Sequence, residues 1–214
     1  MLDKEFWEKV NQRFQAEFFS YPERLRPLIK VIEDASGEYD VNAGAPCPFI
    51  IAIDGRAASG KSTLAQQLSE LLDADVIHMD DFFLPPSLRT KERLEEPGGN
   101  VHYERFAEEV LPCLKLPTAF SYRMFDCSKM DYDGERNIGN KSIRIVEGSY
   151  SHHPKFGNYA DLFVFSDVGA EEQMRRIRLR NGEEKTQIFA EKWIPMEERY
   201  FAECDVKKSA DKVI

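Results

Sequence analysis

The chain has 214 residues, of which 42% are hydrophobic and 31% are charged, which is enough for one sizeable core in a soluble globular protein. Its formal net charge of -9 argues against a nucleic-acid backbone or an anionic membrane as the main partner, since both attract basic surfaces. No apolar run approaches the roughly 20 residues that span a bilayer, and the first residues lack a secretory pattern. We therefore expect a cytoplasmic protein.

Cysteine and histidine positions do not suggest a zinc site. The four cysteines are scattered through the chain without close pairs or zinc-binding spacing, which favours reduced thiols. His152 and His153 are adjacent, so their side chains point in different directions and form a poor chelating pair. We expect both histidines at the surface.

The first 48 residues predict a helical extension followed by a linker. Apolar residues recur every four positions over about residues 4 to 19, at Phe6, Val10, Phe14 and Phe18. Tyr21 and Pro22 interrupt this pattern, and a second helical series follows at Leu25, Leu28, Ile29 and Ile32. The stretch 36–48 is rich in Gly, Asn, Ala and Pro, as connectors are. The apolar stripe most simply packs within the protein, and a partner-binding role is the alternative.

The strongest motif is Gly55–Ser62, which reads GRAASGKS and matches the phosphate-binding pattern G-x-x-x-x-G-K-[ST]. The apolar run 49–53 before it predicts a buried strand, and leucines at helical spacing after it predict a helix. Such a loop presents backbone N–H groups and a helix N-terminus to an anion. The residues predicted to bind the nucleotide are Gly55, Ala57, Ala58, Ser59, Gly60, Lys61, Ser62 and Thr63. Ser62 is also a predicted magnesium ligand.

The next strand is predicted over 74–79, and it delivers Asp80 and Asp81 to its carboxyl end, where ligands bind in open α/β sheets. This pair is either a solvated turn or a source of a catalytic carboxylate. A mobile loop is expected over 86–100 and a helix over 102–115.

Further elements are predicted in the second half of the chain. We expect strands at 119–124, 143–146 and 162–165, a turn at 131–134, and a helix over 170–180. Arg176 and Arg180 share a face of that helix, which suits them to clamp phosphate oxygens. An exposed helix whose arginines pair with neighbouring glutamates is the alternative.

Several motifs together resemble the uridine kinase and phosphoribulokinase family. They comprise the stretch 49–85 with its Met-Asp-Asp-Phe-Phe segment, Ile-Val-Glu-Gly at 145–148, the arginine helix 174–180, Trp-Ile-Pro-Met-Glu at 193–197, and Lys-Ser-Ala-Asp at 208–211. The resemblance implies an α/β protein with a three-layer P-loop kinase fold over 49–214, a central parallel sheet and a lid region, with 1–48 as an N-terminal extension. It implies transfer of the γ-phosphate of ATP, or alternatively GTP, with Mg²⁺, to the 5′-hydroxyl of a nucleoside such as uridine or cytidine.

The same resemblance implies roles for individual residues. Asp80 would be the general base, Lys61 would hold phosphates, and Glu147 would order the metal together with Ser62. Arg176 and Arg180 would belong to the lid, and they complete the catalytic set with Asp80 and Lys61. The segment 102–106 is similar to a His-Pro-Asp-x-Phe motif, which places Glu104 at the ribose, and 122–126 is similar to a base-contacting segment. The implied substrate contacts are Asp80, Phe83, His102, Glu104, Tyr122 and Arg176.

Other functions remain open at this stage. The same phosphate machinery would serve a kinase of pantothenate, nicotinamide riboside or another small hydroxyl compound. A nucleotide-dependent switch is a different class, although the segment 140–143 lacks the aspartate of a guanine-reading motif. A nucleotide-binding module without turnover that uses its N-terminal helices for interaction is a third hypothesis. Homo-oligomerisation is left open.

Overall fold

The computed structural model describes residues 2–17, 23–37 and 47–214. The predicted positions of Phe18, Tyr21 and Pro22, and most of the predicted connector, lie outside these residues.

The helices are α1 Lys4–Ala16, α2 Leu25–Gly37, α3 Lys61–Leu72, α4 Lys91–Glu95, α5 Tyr103–Glu109, α6 Leu111–Leu114, α7 Ala170–Asn181, α8 Glu183–Ile188, α9 Ile194–Glu203 and α10 Val206–Ser209. The strands are β1 Phe49–Gly55, β2 Asp75–His78, β3 Phe120–Asp126, β4 Asp131–Ile138, β5 Ile143–Glu147, β6 Leu162–Ser166 and β7 Lys212–Val213.

Five parallel strands form the main sheet in the order β2-β5-β1-β6-β7. Every residue of β1, β5 and β6 is buried, as expected for central strands covered by helices on both faces. The predicted α/β fold with a central parallel sheet is confirmed. All five carboxyl ends lie along one edge, and the Gly55–Ser62 loop follows the central strand there.

The two N-terminal helices pack onto one face of this sheet. Trp7 on α1 and Leu25 on α2 belong to the same apolar cluster as Ile51 on β1 and Leu64 on α3. The indole N–H of Trp7 donates to the hydroxyl of Ser36, 3.1 Å away, which joins α1 to α2. The amphipathic stripe therefore faces the chain's own core.

A two-stranded hairpin occupies the region where a turn was expected at 131–134. That expectation is wrong, because β4 begins at Asp131 and pairs antiparallel with β3. The turn lies earlier, where the Asp126 carboxylate accepts a hydrogen bond from the backbone N–H of Ser128 at 2.7 Å and reverses the chain. The glycine that suggested a turn, Gly134, lies inside strand β4.

Two further expectations about local structure need correction. The expected loop 86–100 contains α4, whose first turn is capped by the hydroxyl of Thr90, a partner of the Arg93 N–H at 3.1 Å. The expected helix 102–115 is two short helices, α5 and α6, because Pro112 has no N–H to continue the helical hydrogen bonds.

His153 is buried, so the expectation of a surface position is wrong for it. Only 3% of the residue is exposed, and its ring stacks between Tyr103 and Tyr200. Its Nε2–H donates to the carbonyl of Pro97 at 3.2 Å, while Nδ1 accepts from the N–H of Lys155 at 3.2 Å. Both nitrogens are therefore engaged in the neutral form, and burial lowers the pKa of His153 to about 4.

This environment predicts a loss of stability in mild acid. The unfolded chain protonates His153 near pH 6.5, whereas the folded chain resists until about pH 4. The stabilisation that neutral His153 gives the folded chain is therefore fully present above pH 6.5 and is lost as the pH falls toward 4. Between pH 7 and pH 5 the free energy of unfolding should fall by about 2 kcal/mol more for wild type than for His153→Gln, measured by urea denaturation. Equal losses in the two proteins would contradict the assignment.

Candidate active site

The loop between β1 and α3 requires glycine at two of its positions. Gly55 has φ +137°, and a Cβ added there would lie 2.0 Å from the carbonyl oxygen of Ser166 on the neighbouring strand β6. Gly60 has φ +93°, and its Cβ would lie 2.7 Å from a guanidinium nitrogen of Arg24. The glycines of the motif thus allow tight packing of the loop against the sheet and against the N-terminal region.

Lys61 is the first residue of α3, and its side chain reaches back into the phosphate loop. Its Nζ donates to the carbonyl oxygens of Gly55 at 2.7 Å and Arg56 at 2.9 Å, and only 8% of the residue is exposed. These neutral carbonyls hold the ammonium without cancelling its charge. Next to it, the hydroxyl of Ser62 donates to Oε2 of Glu147 at 3.1 Å. A full positive charge and a carboxylate therefore lie at the start of α3.

Helix α9 also holds the loop, through two adjacent glutamates. The buried Glu197 accepts the N–H of Ala57 at 2.9 Å and the hydroxyl of Ser149 at 2.7 Å. Glu198 forms an ion pair with Arg56. The sequence prediction assigned Glu197 no role, although it lies in one of the motifs of the resemblance. Its position against a loop amide makes it part of the candidate site.

The structure separates the functions of Asp80 and Asp81. Asp81 is 8% exposed, and its Oδ2 accepts from the hydroxyl of Tyr122 at 3.0 Å and from Nε of Arg136 at 2.8 Å. Asp80 instead opens into the cavity beside the loop. Asp81 therefore anchors the strand end to the hairpin, and Asp80 is the carboxylate available to a ligand.

A second carboxylate, Glu147, lies close to Asp80 at the strand ends. Glu147 is 4% exposed and pairs in register with His78, whose Nδ1 lies 2.5 Å from its Oε1. The walls of the cavity raise the pKa of Asp80 by shielding it from water, and the charge of Glu147 raises it further. Lys61 and His78 oppose that effect. A cation near the two carboxylates would relieve their repulsion.

These groups line a cavity of about 870 Å³, a volume suited to a small-molecule site. The predicted site residues on its wall are Ala57, Ala58, Gly60, Lys61, Ser62, Thr63, Asp80, Phe83, Glu147, Arg176 and Arg180. Gly55 and Ser59 lie in the loop but behind this surface. Arg89, Asn100 and Ser149 also line the cavity, although the sequence analysis did not select them.

Three predicted substrate contacts are absent from the cavity wall. Glu104 forms a bidentate pair with Arg93, at 2.7 and 2.8 Å, which lowers the pKa of its carboxyl to about 2. His102 caps α5 through Nδ1, which accepts the N–H of Arg105 at 3.3 Å. Tyr122 is buried beneath Asp81. The expected ribose and base contacts are therefore not assembled beside Asp80 in this structure.

Helix α7 brings its arginines to the loop, as their shared face suggested. Arg176 donates to the carbonyl of Ala58 at 3.2 Å and pairs with Glu172 at 2.7 Å, and Arg180 lines the cavity nearby. The alternative of glutamate pairing also holds in part, since Glu172 pairs with both Arg175 and Arg176. Arg178 pairs with Glu183 on the outward side. The helix thus has a cavity face and a solvated face.

Arg24 from the N-terminal region contacts the same loop. Its guanidinium donates to the carbonyls of Ser59 at 2.9 Å and Gly60 at 3.1 Å. Burial lowers the pKa of Arg24, and the nearby charge of Arg176 lowers it further. No sequence pattern linked Arg24 to the loop, because the two are separated by 35 residues or more.

Comparison with known proteins supports the fold. A candidate fructose transport system kinase from Silicibacter sp. TM1040 superimposes with a TM-score of 0.69 over 89% of this chain and 98% of its own, at 19% identity. A candidate uridine kinase from Bacillus stearothermophilus superimposes with a TM-score of 0.66 over 90% of this chain and 97% of its own, at 21% identity. The chain has the P-loop kinase fold. D-glycerate 3-kinase from Cryptococcus neoformans gives 0.59 over 83% and 88%, at 14% identity.

Sequence comparison finds pantothenate kinases. The chain is 30% identical to pantothenate kinase of Erwinia tasmaniensis over 146 residues, 58% of this chain and 45% of the relative. It is 30% identical to the pantothenate kinase of Ligilactobacillus salivarius over 133 residues, which are 55% of this chain and 42% of the relative. The chain thus spans a little under half the length of these relatives. No family model matches it. The predicted resemblance to P-loop kinases is confirmed at the level of the fold.

The described residues also bear on membrane association. Among them, no helix is both long and apolar enough to cross a bilayer.

Proposed function

We propose that the protein transfers the γ-phosphate of ATP to a hydroxyl group of a small molecule. The observation that carries the proposal is that one cavity contains both the Gly55–Ser62 phosphate loop and Asp80. The loop supplies a phosphate cradle, and Asp80 supplies a carboxylate that can accept a hydroxyl proton. The pairing of a phosphate cradle with a carboxylate that faces the same cavity is what transfer to a hydroxyl requires.

Phosphoryl transfer depends on positioning and on charge stabilisation, because the protein has little covalent chemistry to perform. Asp80 would orient the acceptor hydroxyl and take its proton as the new P–O bond forms and the bond to the ADP oxygen breaks. The raised pKa of Asp80 makes it a better proton acceptor than an ordinary aspartate. Lys61, Arg176 and Arg180 would offset the charge on the transferred group and on the leaving oxygens.

Residues at the end of β5 and the start of α3 fit a magnesium ion. The described residues contain no group of three His, Cys, Asp or Glu side chains suited to a metal. Mg²⁺ in kinases is nevertheless commonly held by one or two protein oxygens together with phosphates. Ser62 and Glu147, whose oxygens lie 3.1 Å apart, offer such a pair. The ion would neutralise phosphate charge when bound with ATP.

The acceptor has two candidate classes. The motif resemblance favours the 5′-hydroxyl of a ribonucleoside such as uridine or cytidine, with Glu104 and Tyr122 as its predicted contacts. The curated relatives are pantothenate kinases, which favours a hydroxy acid as a second candidate. The absence of Glu104 and Tyr122 from the cavity wall also favours the second class.

An ADP-release assay with an acceptor panel tests the proposal. The panel would contain nucleosides, ribosides, pantothenate and other small hydroxyl compounds, each with ATP or GTP and Mg²⁺. Stimulation above the rate without acceptor by at least one member is expected. Equal release with and without every acceptor would instead favour a nucleotide switch, and binding without hydrolysis would favour a non-catalytic module.

Arg24 is expected to stabilise the loop for nucleotide binding. Arg24→Ala removes two hydrogen bonds from loop carbonyls, so we expect a loss of about 1 to 2 kcal/mol in the free energy of unfolding. We also expect weaker binding of a non-hydrolysable ATP analogue, measured by calorimetry. The control is Lys30→Ala, which removes an exposed pair with Asp34 on α2. An Arg24→Ala protein with unchanged stability and unchanged analogue affinity would show that the N-terminal contact is incidental.

A further inference from the structure

Two polar side chains on the cavity wall have hydrogen-bonding groups that the described protein does not use. They are Arg89, which follows the turn Pro86–Leu88, and Asn100, which lies just before α5. Neither belongs to the phosphate loop or to α7. Their unused groups indicate a ligand contact distinct from the nucleotide phosphates.

Arg89 is held in place through one edge of its guanidinium. Nε donates to the carbonyl of Leu84 at 2.7 Å, and the backbone N–H of Arg89 donates to Pro86 at 3.2 Å. Its two terminal amino groups have no hydrogen-bond acceptor and no carboxylate partner within residues 2–17, 23–37 and 47–214. A fixed guanidinium with its terminal donors free is suited to a planar or tetrahedral anion.

Asn100 offers an acceptor on the wall of the same cavity. The residue is only 5% exposed, and its Oδ1 is buried without a hydrogen-bond partner among the described residues. Buried amide oxygens are normally paired, because an unpaired one loses its hydration without compensation. A hydroxyl or N–H donor on a ligand would supply the missing partner.

The backbone of Leu84 joins the two side chains into one subsite. Its carbonyl accepts from Arg89, and its N–H donates to the carbonyl of Asn100 at 3.1 Å. The strand-like pairing of Phe83 with Val101 holds the two segments together. The subsite is therefore preorganised rather than dependent on a flexible loop.

This subsite lies near the carboxylate proposed as the base. Asp80, Arg89 and Asn100 line the same cavity. The cations on the loop side have other contacts, since Lys61 binds loop carbonyls and Arg176 binds Ala58 and Glu172. Because Lys61 and Arg176 already lie against the phosphate loop, we assign Arg89, which lies outside that loop and outside α7, to the acceptor.

We propose that the acceptor carries an anionic group, a carboxylate or a phosphoryl group, which binds Arg89, and a hydroxyl or N–H donor that binds Asn100. This inference rests on the proposed kinase function and narrows its acceptor to anionic hydroxyl compounds. A neutral nucleoside offers the Arg89 fork only uncharged acceptors such as base carbonyls, which bind a guanidinium less strongly than an anion does. The anion would fix the acceptor at one end while a hydroxyl at the other end approaches Asp80.

Matched pairs of compounds test the inference. The probes are glycerate against glycerol, pantothenate against panthenol, and fructose 6-phosphate against fructose, with uridine and cytidine as neutral nucleosides. Binding is measured by calorimetry with a non-hydrolysable ATP analogue and Mg²⁺, and turnover by ADP release. At least one charged member should bind about tenfold or more tightly than its neutral counterpart. The carboxylates and the phosphate ester distinguish the two forms of the anion.

Arginine variants link that preference to the subsite. Arg89→Gln should weaken binding of the charged member by about 10- to 100-fold and leave its neutral counterpart unaffected. Arg89→Lys keeps the charge without the fork, so its affinity for the charged compound should lie between those of wild type and Arg89→Gln. Arg178→Gln is the matched control, because Arg178 pairs with Glu183 on the solvated face of α7. Thermal unfolding of each variant establishes that it is folded.

The outcomes separate this inference from the kinase proposal. Phosphorylation of neutral acceptors alone, unchanged in Arg89→Gln, overturns the inference and leaves the kinase function standing. Arg89-dependent binding of an anionic compound without any turnover supports the subsite and removes the kinase function. If no anionic probe binds in an Arg89-dependent manner, the inference is overturned.

Discussion

Asp80→Asn should lower the turnover number by about 10²- to 10⁴-fold, the usual range for loss of a general base, while binding of an ATP analogue is largely retained. Asparagine keeps the shape of the side chain but cannot accept the hydroxyl proton. The substitution should not reduce stability, since the cavity walls and the charge of Glu147 already raise the pKa of Asp80, so that loss of its negative charge costs the fold little. Single-turnover kinetics and calorimetry measure the two effects. Loss of analogue binding would instead assign Asp80 to the nucleotide or the metal.

The adjacent aspartate provides the matched comparison. Asp81→Asn removes a charged acceptor from the buried contacts with Tyr122 and Arg136, so it should lower the free energy of unfolding by about 1 to 3 kcal/mol. Its effect on turnover in the folded protein should be far smaller than that of Asp80→Asn. If the two substitutions reduced turnover equally, the separation of a reactive and a structural aspartate would be wrong.

Lys61→Ala should reduce turnover by about 10²- to 10³-fold and also weaken ATP-analogue binding. Within the phosphate loop, Lys61 is the charged residue that lines the cavity. Its removal also leaves the carbonyls of Gly55 and Arg56 without their hydrogen-bond donor. Steady-state kinetics and calorimetry would show both losses, in contrast to the selective effect of Asp80→Asn.

Lys141→Ala is the control for this substitution. Lys141 forms an exposed pair with Asp73 and does not line the cavity, so its loss should leave turnover and analogue affinity unchanged. A Lys61→Ala protein that binds the analogue as tightly as Lys141→Ala would show that the loop does not hold phosphates.

The elements that depend on local sequence could be predicted. Strand β1, the phosphate loop and α3 follow from a short apolar run, glycine spacing and helical periodicity, all of which lie within 24 consecutive residues, from Phe49 to Leu72. Strand β5 and its terminal Glu147 were found for the same reason. Arg176 and Arg180 were correctly placed on one helix face, because helical geometry alone determines that relation.

Features that depend on distant partners could not be predicted. Asp80 and Asp81 are chemically identical in sequence, and their distant partners show which of them is structural: Tyr122 and Arg136, which bind Asp81, lie 41 and 55 residues from it. Glu104 was expected at a substrate, but Arg93 neutralises it from a segment expected to be a mobile loop. Arg89 and Asn100 became a subsite only because Leu84 contacts both.

The central claim is that one cavity joins a phosphate donor to a hydroxyl acceptor, and identification of the phosphorylated product tests it most directly. The protein is incubated with γ-labelled ATP, Mg²⁺ and the acceptor panel, and the products are separated and examined by mass spectrometry. Label should move from ATP to one acceptor with wild type and not with Asp80→Asn. Label found only in inorganic phosphate, at the same rate with and without every acceptor, would contradict it.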